Sequence, residues 1–170
     1  MMLKLYKGTG AEMHYCEAWI EGQVIIEHKG RIGTRGKTLE HKRLAKKSDD
    51  ENIRRILEPL VNGGGYEPIA DENHAVLLIE YAIEGVGTKA DLEKRHQLAD
   101  RMNETLGWTG LGHCDGGSIG DGTMEACCYV VDLEVARKVI EEDLNDTPFA
   151  DYTRIYDEGA DEEEGEAAPA

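Results

Sequence analysis

The sequence predicts an α+β protein with two domains and an acidic tail, and two observations support this fold class. Segments with the period-two alternation of strands are interspersed with segments in which apolar residues recur every three or four positions, as in helices. The charge also changes along the chain: residues 1–60 have 12 Lys or Arg against 9 Asp or Glu, whereas residues 61–170 have 7 against 26. Two segments with different electrostatics indicate two domains, each small enough to be only marginally stable alone.

The first domain, residues 1–69, is predicted to be an antiparallel β module with one helix. Its predicted strands and helix lie, in chain order, at 13–18, 23–28 and 50–61. The turn signal Glu21-Gly22 joins the two strands into a hairpin. Ser48 or Asp49 is expected to cap the helix. The apolar stripe of this helix consists of Ile53, Ile56, Leu57 and Leu60.

The second domain, residues 74–157, shows a regular alternation of strands and helices. Its predicted elements are, in chain order, a strand at 74–84, a helix at 88–106, strands at 108–115 and 124–132, a helix capped by Asp132, and a strand at 149–156. Thr88 and Asp91 resemble a capping box. The residues of the first helix expected to face inward are Leu92, Ala99, Met102 and Leu106. Strand, helix, two strands, helix, strand is the order of a ferredoxin-like βαββαβ sandwich.

Composition excludes a membrane span and indicates an acidic protein. The formal net charge is −16, charged residues make up 32% of the chain and hydrophobic residues 40%. No apolar run approaches the roughly 18 residues of a membrane-spanning helix, and the N-terminal region has no secretory or transit pattern. We therefore expect no membrane partner and a cytoplasmic location. Residues 158–170 include six acidic residues and are predicted to be a disordered tail.

The cysteines do not have the spacing of a disulfide framework or of a structural zinc site. Cys127 and Cys128 are adjacent in a predicted strand, so their side chains should point to opposite faces. His113 and Cys114 lie on a strand that should pair with it, but no C-x₂₋₄-C or H-x₃₋₅-H spacing is present. We therefore predict that Cys16, Cys114, Cys127 and Cys128 act as small buried hydrophobes, and that there is no metal site.

Two glycine-rich segments resemble ligand-binding loops but lack the required residues. Gly36-Lys37-Thr38 is not a phosphate loop, because Arg31 stands where the pattern needs glycine. The segment 110–122 has the wrong ligand spacing for an EF-hand. It is predicted to be a flexible hairpin tip, with a binding lip as the alternative. Because the sequence indicates neither a nucleophile with a base nor a pair of acid and base groups, we expect no enzyme and no cofactor.

The first domain resembles the WGR family over about residues 1–69. The resemblance rests on an aromatic strand ending in Trp19, a second strand leading into Gly-Arg-Ile-Gly-Thr-Arg-Gly at 30–36, and the pair Gly65-Tyr66 after a helix. In family members attached to poly(ADP-ribose) polymerases, the motif Trp and Arg meet the sugar and phosphate of a DNA strand at a break. The resemblance implies that Arg31 contacts phosphate. Lys29 replaces the motif Trp, which removes a stacking contact and leaves a point charge.

Two hypotheses of function follow from charge and resemblance. The first is a non-enzymatic binding protein in which a basic loop contacts the phosphate backbone of DNA or RNA and the acidic second domain acts as regulator. The predicted contact residues are Lys29, Arg31, Arg35, Lys37, Lys42 and Arg43, with Lys46 and Lys47 on the same positive face. The second is a protein-interaction or regulatory protein whose acidic domain binds a basic partner. The resemblance favours the first hypothesis, and charge alone favours the second.

Overall fold

The computed structural model describes residues 3–160, and the chain forms two compact units. The first unit contains the residues up to Asp71 together with Trp108–Gly110, and the second contains Glu72–Gly107 and the residues from Leu111 onward. Each unit has one four-stranded antiparallel sheet, and residues 3–157 contain three α-helices. The α+β class predicted from the sequence is therefore confirmed.

The first unit is a four-stranded antiparallel meander with one α-helix. Its elements are β1 (Leu3–Lys7), β2 (His14–Glu21), β3 (Val24–Arg31), β4 (Lys37–Lys42) and α1 (Asp49–Gly64), and the strands lie in the order β1-β2-β3-β4. Gly22, in the two-residue turn between β2 and β3, has a φ of 59° that favours glycine. The sequence pattern did not predict β1 or β4. β1 is short, and β4 is exposed along nearly its whole length, so it lacks the apolar alternation of a half-buried strand.

α1 packs on one face of this sheet through the apolar stripe that its spacing predicts. The core of the unit is formed by Leu5, Cys16, Ala18 and Ile25 of the strands with Ile53 and Leu57 of α1. Ser48 caps the helix in a capping box, because its hydroxyl accepts from the backbone N–H of Glu51 while the Glu51 carboxylate accepts from that of Ser48. The buried amide of Asn52 bonds both backbone groups of Leu44. The path from β4 into α1 is therefore held by side-chain hydrogen bonds.

The second unit combines four strands with two helices. Its elements are β5 (Ala75–Ala82), α2 (Lys89–Trp108), β6 (Gly112–Gly120), β7 (Thr123–Val130), α3 (Leu133–Leu144) and β8 (Arg154–Asp157). The strands lie in the order β6-β7-β5-β8, and each neighbouring pair is antiparallel. Both predicted caps are present, at Thr88 with Asp91 and at Asp132. The helices bury Leu98, Met102, Leu106, Ala136, Ile140 and Leu144.

Several sequence predictions in the second unit are corrected by the structure. Leu92 was expected to face inward but is 38% exposed, because it lies in the first turn of α2, before the buried stretch of that helix. The segment 110–122 is not an open hairpin tip, since most of it is β6. The turn is reduced to Asp121-Gly122, whose φ values of 52° and 86° are both positive, as in a type I′ turn. The strand predicted at 108–115 therefore covers only the start of β6, because the glycines at 117 and 120 pair through their backbone without an apolar side-chain pattern.

The remaining predictions about the chain concern membranes and the acidic tail. Among residues 3–160 there is no helix of the length and apolar character that crossing a membrane requires. The predicted tail begins at Glu158. Residues 158–160 are helical, and residues 161–170, which contain most of the acidic run, lie outside the described residues.

Candidate nucleic-acid interface

The structure separates the predicted cationic residues into groups instead of placing them on one loop. Lys29, Arg31 and Lys37 lie at the end of the first sheet where β3 stops, on the face that α1 covers elsewhere. Lys42 is also exposed on β4, but its odd separation from Lys37 directs it to the opposite face. Arg43, Lys46 and Lys47 lie between β4 and α1, beside the N-terminus of that helix. Arg35 is exposed on the loop between β3 and β4.

The strand register adds two residues to the first group. Lys7 of β1, His14 of β2 and Arg31 of β3 are directly opposite one another and form one row across the sheet. Lys29 and Lys37 are also directly opposite and form a second row, two residues away along β3. Residues directly opposite in an antiparallel pair share a face. We call these five exposed residues, Lys7, His14, Lys29, Arg31 and Lys37, the cation face.

The two rows of the cation face have dimensions that follow from sheet geometry. Adjacent strands lie about 4.8 Å apart and residues on one face of a strand repeat about every 7 Å. Lys7 and Arg31, separated by two strand spacings, are therefore about 10 Å apart at the backbone, and the second row lies about 7 Å from the first. Sequence reasoning missed Lys7 and His14, because β1 was not predicted and the pairing register was not known.

Two carboxylates lie against the cation face, and they differ in burial. The buried Glu27 carboxylate accepts hydrogen bonds from Lys29 at 2.8 Å and from His41 at 2.6 Å. The pKa of Glu27 is lowered overall. Burial alone would raise it, but the hydrogen bonds and positive charges of Lys29 and His41 outweigh burial. The same hydrogen bond raises the pKa of Lys29. Lys29 is therefore committed to an internal ion pair.

The other cations of this face are less engaged. Arg31 lies 3.6 Å from Glu12, and both side chains are at least half exposed, so solvent screens this pair. Lys7 lies 5.9 Å from the centre of the Tyr66 ring. In the described part of the chain, neither Lys7 nor Lys37 forms an ion pair with a carboxylate. The cation face thus has more positive than negative charges and forms a net positive surface. Its lysines and arginine are Lys7, Lys29, Arg31 and Lys37, and the carboxylates against it are Glu12 and Glu27.

The cations near α1 are, by contrast, interleaved with acidic residues. Arg43 donates to the carbonyl oxygen of Gly22 at 3.0 Å and to Asp49 at 2.7 Å. Lys47 lies 3.9 Å from Glu51, one turn further along the chain. Asp49 and Glu51 bring negative charge next to Arg43 and Lys47, so these two cations offer an anion little net attraction.

A buried hydrogen-bond network holds the loop that joins β3 to β4, and it lies on the face of the sheet opposite the cation face. The Tyr15 hydroxyl donates towards the carbonyl oxygens of Thr34 at 3.0 Å and Trp108 at 3.2 Å. His28 Nε2 lies 2.7 Å from the carbonyl oxygen of Arg35, and its Nδ1 lies 2.8 Å from Glu17. Side chains of β2 and β3 therefore bind the carbonyl oxygens of Thr34 and Arg35, and the residues between Arg31 and Lys37 have a defined conformation.

The same network has the composition of a nucleophile, base and orienting carboxylate, yet its geometry indicates a structural role. Tyr15 is fully buried and His28 is 1% exposed, so no substrate atom reaches either group. Nδ1 of His28 faces the Glu17 carboxylate, and Nε2 faces both the carbonyl oxygen of Arg35 and, at 3.0 Å, the Tyr15 hydroxyl. These buried hydrogen bonds hold the β3–β4 loop in place.

Three glycines allow the network to form, because backbone approaches Tyr15 closely. A Cβ atom on Gly36 would lie 2.5 Å from the Tyr15 hydroxyl, and one on Gly30 would lie 3.2 Å from it. A Cβ atom on Gly110 would lie 2.1 Å from the Tyr15 ring. Trp108 contacts the network from the same segment, with its ring centre 4.9 Å from that of His28. The sequence did not predict that this distant segment would belong to the first unit.

Comparisons with known proteins give no independent assignment. No protein-family model matches the chain, and neither a curated protein nor a solved structure matches it. Among residues 3–160 there is also no group of three or more His, Cys, Asp or Glu side chains that could hold a metal ion. The geometry of the cation face is therefore the basis for the assignment of function.

Proposed function

We propose that the first unit binds the phosphate backbone of nucleic acid through the cation face. The observation that supports this is the register, which places Lys7, Arg31, Lys29 and Lys37 in two adjacent rows on one exposed sheet end. Phosphate contacts by Lys and Arg dominate the affinity of nucleic-acid binding and carry no sequence information themselves. We therefore propose backbone binding without sequence preference, and no enzymatic activity.

The architecture supports the family resemblance as part of this proposal. A four-stranded meander, a helix ending in Gly65-Tyr66 and a glycine-rich turn after Arg31 are the features expected of a WGR domain. In the second unit, the strand order β6-β7-β5-β8 is the order expected of a ferredoxin-like sandwich. We propose both folds on this basis. The second unit would then act as an acidic regulator of the first.

The replacement of the motif Trp by Lys29 determines the mode of binding that we propose. Lys29 has no ring to stack on a sugar or base, and its ammonium group is already bound to Glu27. Arg31, Lys37 and Lys7 are then the cations that meet phosphate. Without stacking, recognition of a broken strand end should be weak, and intact and nicked duplexes should bind with similar affinity.

A comparison of two lysines on one strand tests the proposal. Lys37→Gln and Lys42→Gln each remove one charge from an exposed position of β4, but only Lys37 is on the cation face. Binding of the full chain to duplex DNA is measured by fluorescence anisotropy over a series of salt concentrations. Each phosphate contact contributes about −0.9 to the slope of log K against log salt. Lys37→Gln should reduce the steepness by about 0.9, and Lys42→Gln should leave it unchanged.

The full chain is needed for this measurement because Trp108–Gly110 is part of the first unit. Arg31→Gln should behave like Lys37→Gln, provided that the thermal midpoint is unchanged. Equal effects of Lys37→Gln and Lys42→Gln would show that binding follows total charge and not this face. Absence of binding at about 50 mM salt, where phosphate contacts are strong, would contradict the proposal.

A second candidate function is the binding of a basic protein by the acidic second unit. The observation that favours it is the excess of acidic residues in 61–170, some of which α3 exposes at Glu134, Glu141 and Glu142. A negative surface steers basic partners towards it. Salt-dependent binding of an oligolysine peptide, weakened in Glu141→Gln/Glu142→Gln, together with absence of nucleic-acid binding, would favour this function.

A further inference from the structure

Two buried cysteines of the second unit lie directly opposite each other on neighbouring strands. Cys114 of β6 pairs with Cys128 of β7, and their side chains are 5% and 0% exposed. Residues directly opposite in an antiparallel pair project to the same face. Both residues are free cysteines in the structure. The sequence predicted only that they act as small hydrophobes, because the spacing of cysteines along the chain does not show which strands pair in which register.

The hydrogen-bond pattern shows which kind of pair this is. The N–H of Val131 donates to the carbonyl oxygen of Leu111, so these two residues form a hydrogen-bonded pair. Hydrogen-bonded and non-hydrogen-bonded pairs alternate along an antiparallel ladder. Three steps further, Cys114 and Cys128 therefore form a non-hydrogen-bonded pair. The N–H of Cys114 agrees with this, because it points away from Cys128 and donates to Asn103 Oδ1 at 2.8 Å.

A non-hydrogen-bonded pair has the backbone separation that a disulfide requires. The Cα atoms of such a pair are about 4.5 Å apart, and disulfides span Cα separations of roughly 4.4–6.8 Å. Hydrogen bonding by the Cys128 thiol lowers the pKa of Cys114 although burial opposes it. Cys114 is the thiol of the pair that ionises first.

We propose that Cys114 and Cys128 are a reversible oxidation site, at which hydrogen peroxide converts the two thiols into an intramolecular disulfide. The Cys114 thiolate attacks one peroxide oxygen, so the O–O bond breaks, hydroxide leaves and Cys114 becomes a sulfenic acid. The Cys128 sulfur then attacks the Cys114 sulfur and displaces hydroxide, which leaves as water with the Cys128 proton. In total, two thiols are oxidised to a disulfide and one peroxide is reduced to two waters.

The local structure gives a small oxidant a route to the pair. β6 lies at the edge of its sheet, and the pairing of β6 with β7 is interrupted by a bulge immediately after Cys114. Gly112, Gly116 and Gly117 lie within three residues of Cys114 along β6, so these neighbours contribute no side chains of their own to its cover. Edge segments with few side-chain contacts open locally at low cost in free energy. Reduction by dithiothreitol should follow the same route.

Cys127 provides a matched control within the same strand. It is adjacent to Cys128, so it projects to the opposite face, and its partner across the sheet is Leu78 of β5. Burial raises the pKa of the Cys127 thiol. Cys16, in the first unit, is fully buried and its thiol has a pKa raised to about 12 by burial and by Glu27. Neither residue has a second thiol opposite it in its sheet register.

The test is peptide mapping of the full chain after mild oxidation with hydrogen peroxide. Remaining thiols are alkylated, the chain is cleaved by a protease that cuts after acidic residues, and linked peptides are identified by mass spectrometry. We expect the number of alkylated cysteines to fall from four to two and the linked peptides to contain Cys114 and Cys128. Dithiothreitol should restore all four alkylated cysteines. In Cys127→Ser the number of alkylated cysteines should fall from three to one with the same link, whereas Cys114→Ser should abolish the link.

Several outcomes would overturn the proposal. Cys127 and Cys128 lie in one peptide, so fragmentation of that peptide locates the bond. A disulfide formed by Cys127 or Cys16, or a link between two chains, would show that the register does not determine the pairing. Complete alkylation of all four cysteines after peroxide, or oxidation of Cys114 to sulfinic acid without a link, would show that the pair does not close. Mapping of the wild-type chain decides between these outcomes even if a Cys114 variant fails to fold.

Discussion

Replacing Gly36 by alanine is expected to destabilise the first unit far more than replacing Gly65 by alanine. Both glycines have a left-handed backbone, with φ of 63° at Gly36 and 72° at Gly65. A Cβ atom at Gly36 would lie 2.4 Å from the carbonyl oxygen of Lys29 and 2.5 Å from the hydroxyl of Tyr15. At Gly65 the nearest atom, on Lys7, is 3.7 Å away, which is ordinary contact. The two variants thus share the backbone strain and differ in the steric overlap.

The magnitude follows from these separate contributions. The left-handed conformation costs an alanine about 1–2 kcal/mol at either position. At Gly36, overlap with surrounding atoms adds about 1–3 kcal/mol. The displaced loop also weakens the hydrogen bond from Tyr15 to Thr34, at about 1 kcal/mol. We expect a loss of about 4 kcal/mol for Gly36→Ala and about 1.5 kcal/mol for Gly65→Ala.

Urea unfolding followed by tryptophan fluorescence measures this difference. Both tryptophans, Trp19 and Trp108, belong to the first unit, so their emission reports on its unfolding. With a slope of about 2 kcal/mol per molar urea, the midpoint should fall by about 2 M for Gly36→Ala and by less than 1 M for Gly65→Ala. Equal midpoints for the two variants would refute the claim that backbone and Tyr15 occupy the space next to Gly36.

Three further predictions concern stability and are measured on the full chain. Folding lowers the pKa of Glu27, so the ionised carboxylate stabilises the folded state at neutral pH, and this stabilisation is lost as the pH falls through that pKa. The free energy of unfolding should therefore vary less with pH in the acid range in Glu27→Gln than in the wild type. Asn52→Ala leaves buried backbone groups without partners and should cost about 2–4 kcal/mol in urea unfolding, whereas the exposed Asn62→Ala should change stability by less than about 0.5 kcal/mol. Ile140→Ala should cost about 2–5 kcal/mol and lower the thermal midpoint, while the 81% exposed Val86→Ala should not; similar midpoints would contradict the burial of Ile140.

The cation face shows how far sequence reasoning reached. Lys29, Arg31 and Lys37 were predicted as contact residues from their position around the glycine-rich motif, and the register places these three together. Lys42 was predicted with them, but lies on the other face of β4. Lys7 was not predicted, although it is in the same row as Arg31. Proximity along the chain identified part of the set, but side-chain direction depends on strand pairing.

Helix starts were predicted correctly because their signals are local. The Ser48, Thr88 and Asp132 side chains each bond a backbone N–H three residues further along, so the sequence contains both partners of the contact. The apolar spacing of α1 and α3 likewise lies within one element. By itself the sequence determined the α+β class, the helices and their caps, and the strands with alternating apolar residues.

The tertiary structure decided which distant residues meet. The position of Trp108–Gly110 in the first unit, the His28 and Tyr15 bonds to the β3–β4 loop, and the pairing of Cys114 with Cys128 all depend on contacts between residues far apart in the chain or on a strand register. A shift of one residue in register would reverse every side chain of a strand between the two faces. The register is selected by the burial of an entire face of the sheet. This burial depends on several strands together and cannot be inferred from any one short segment.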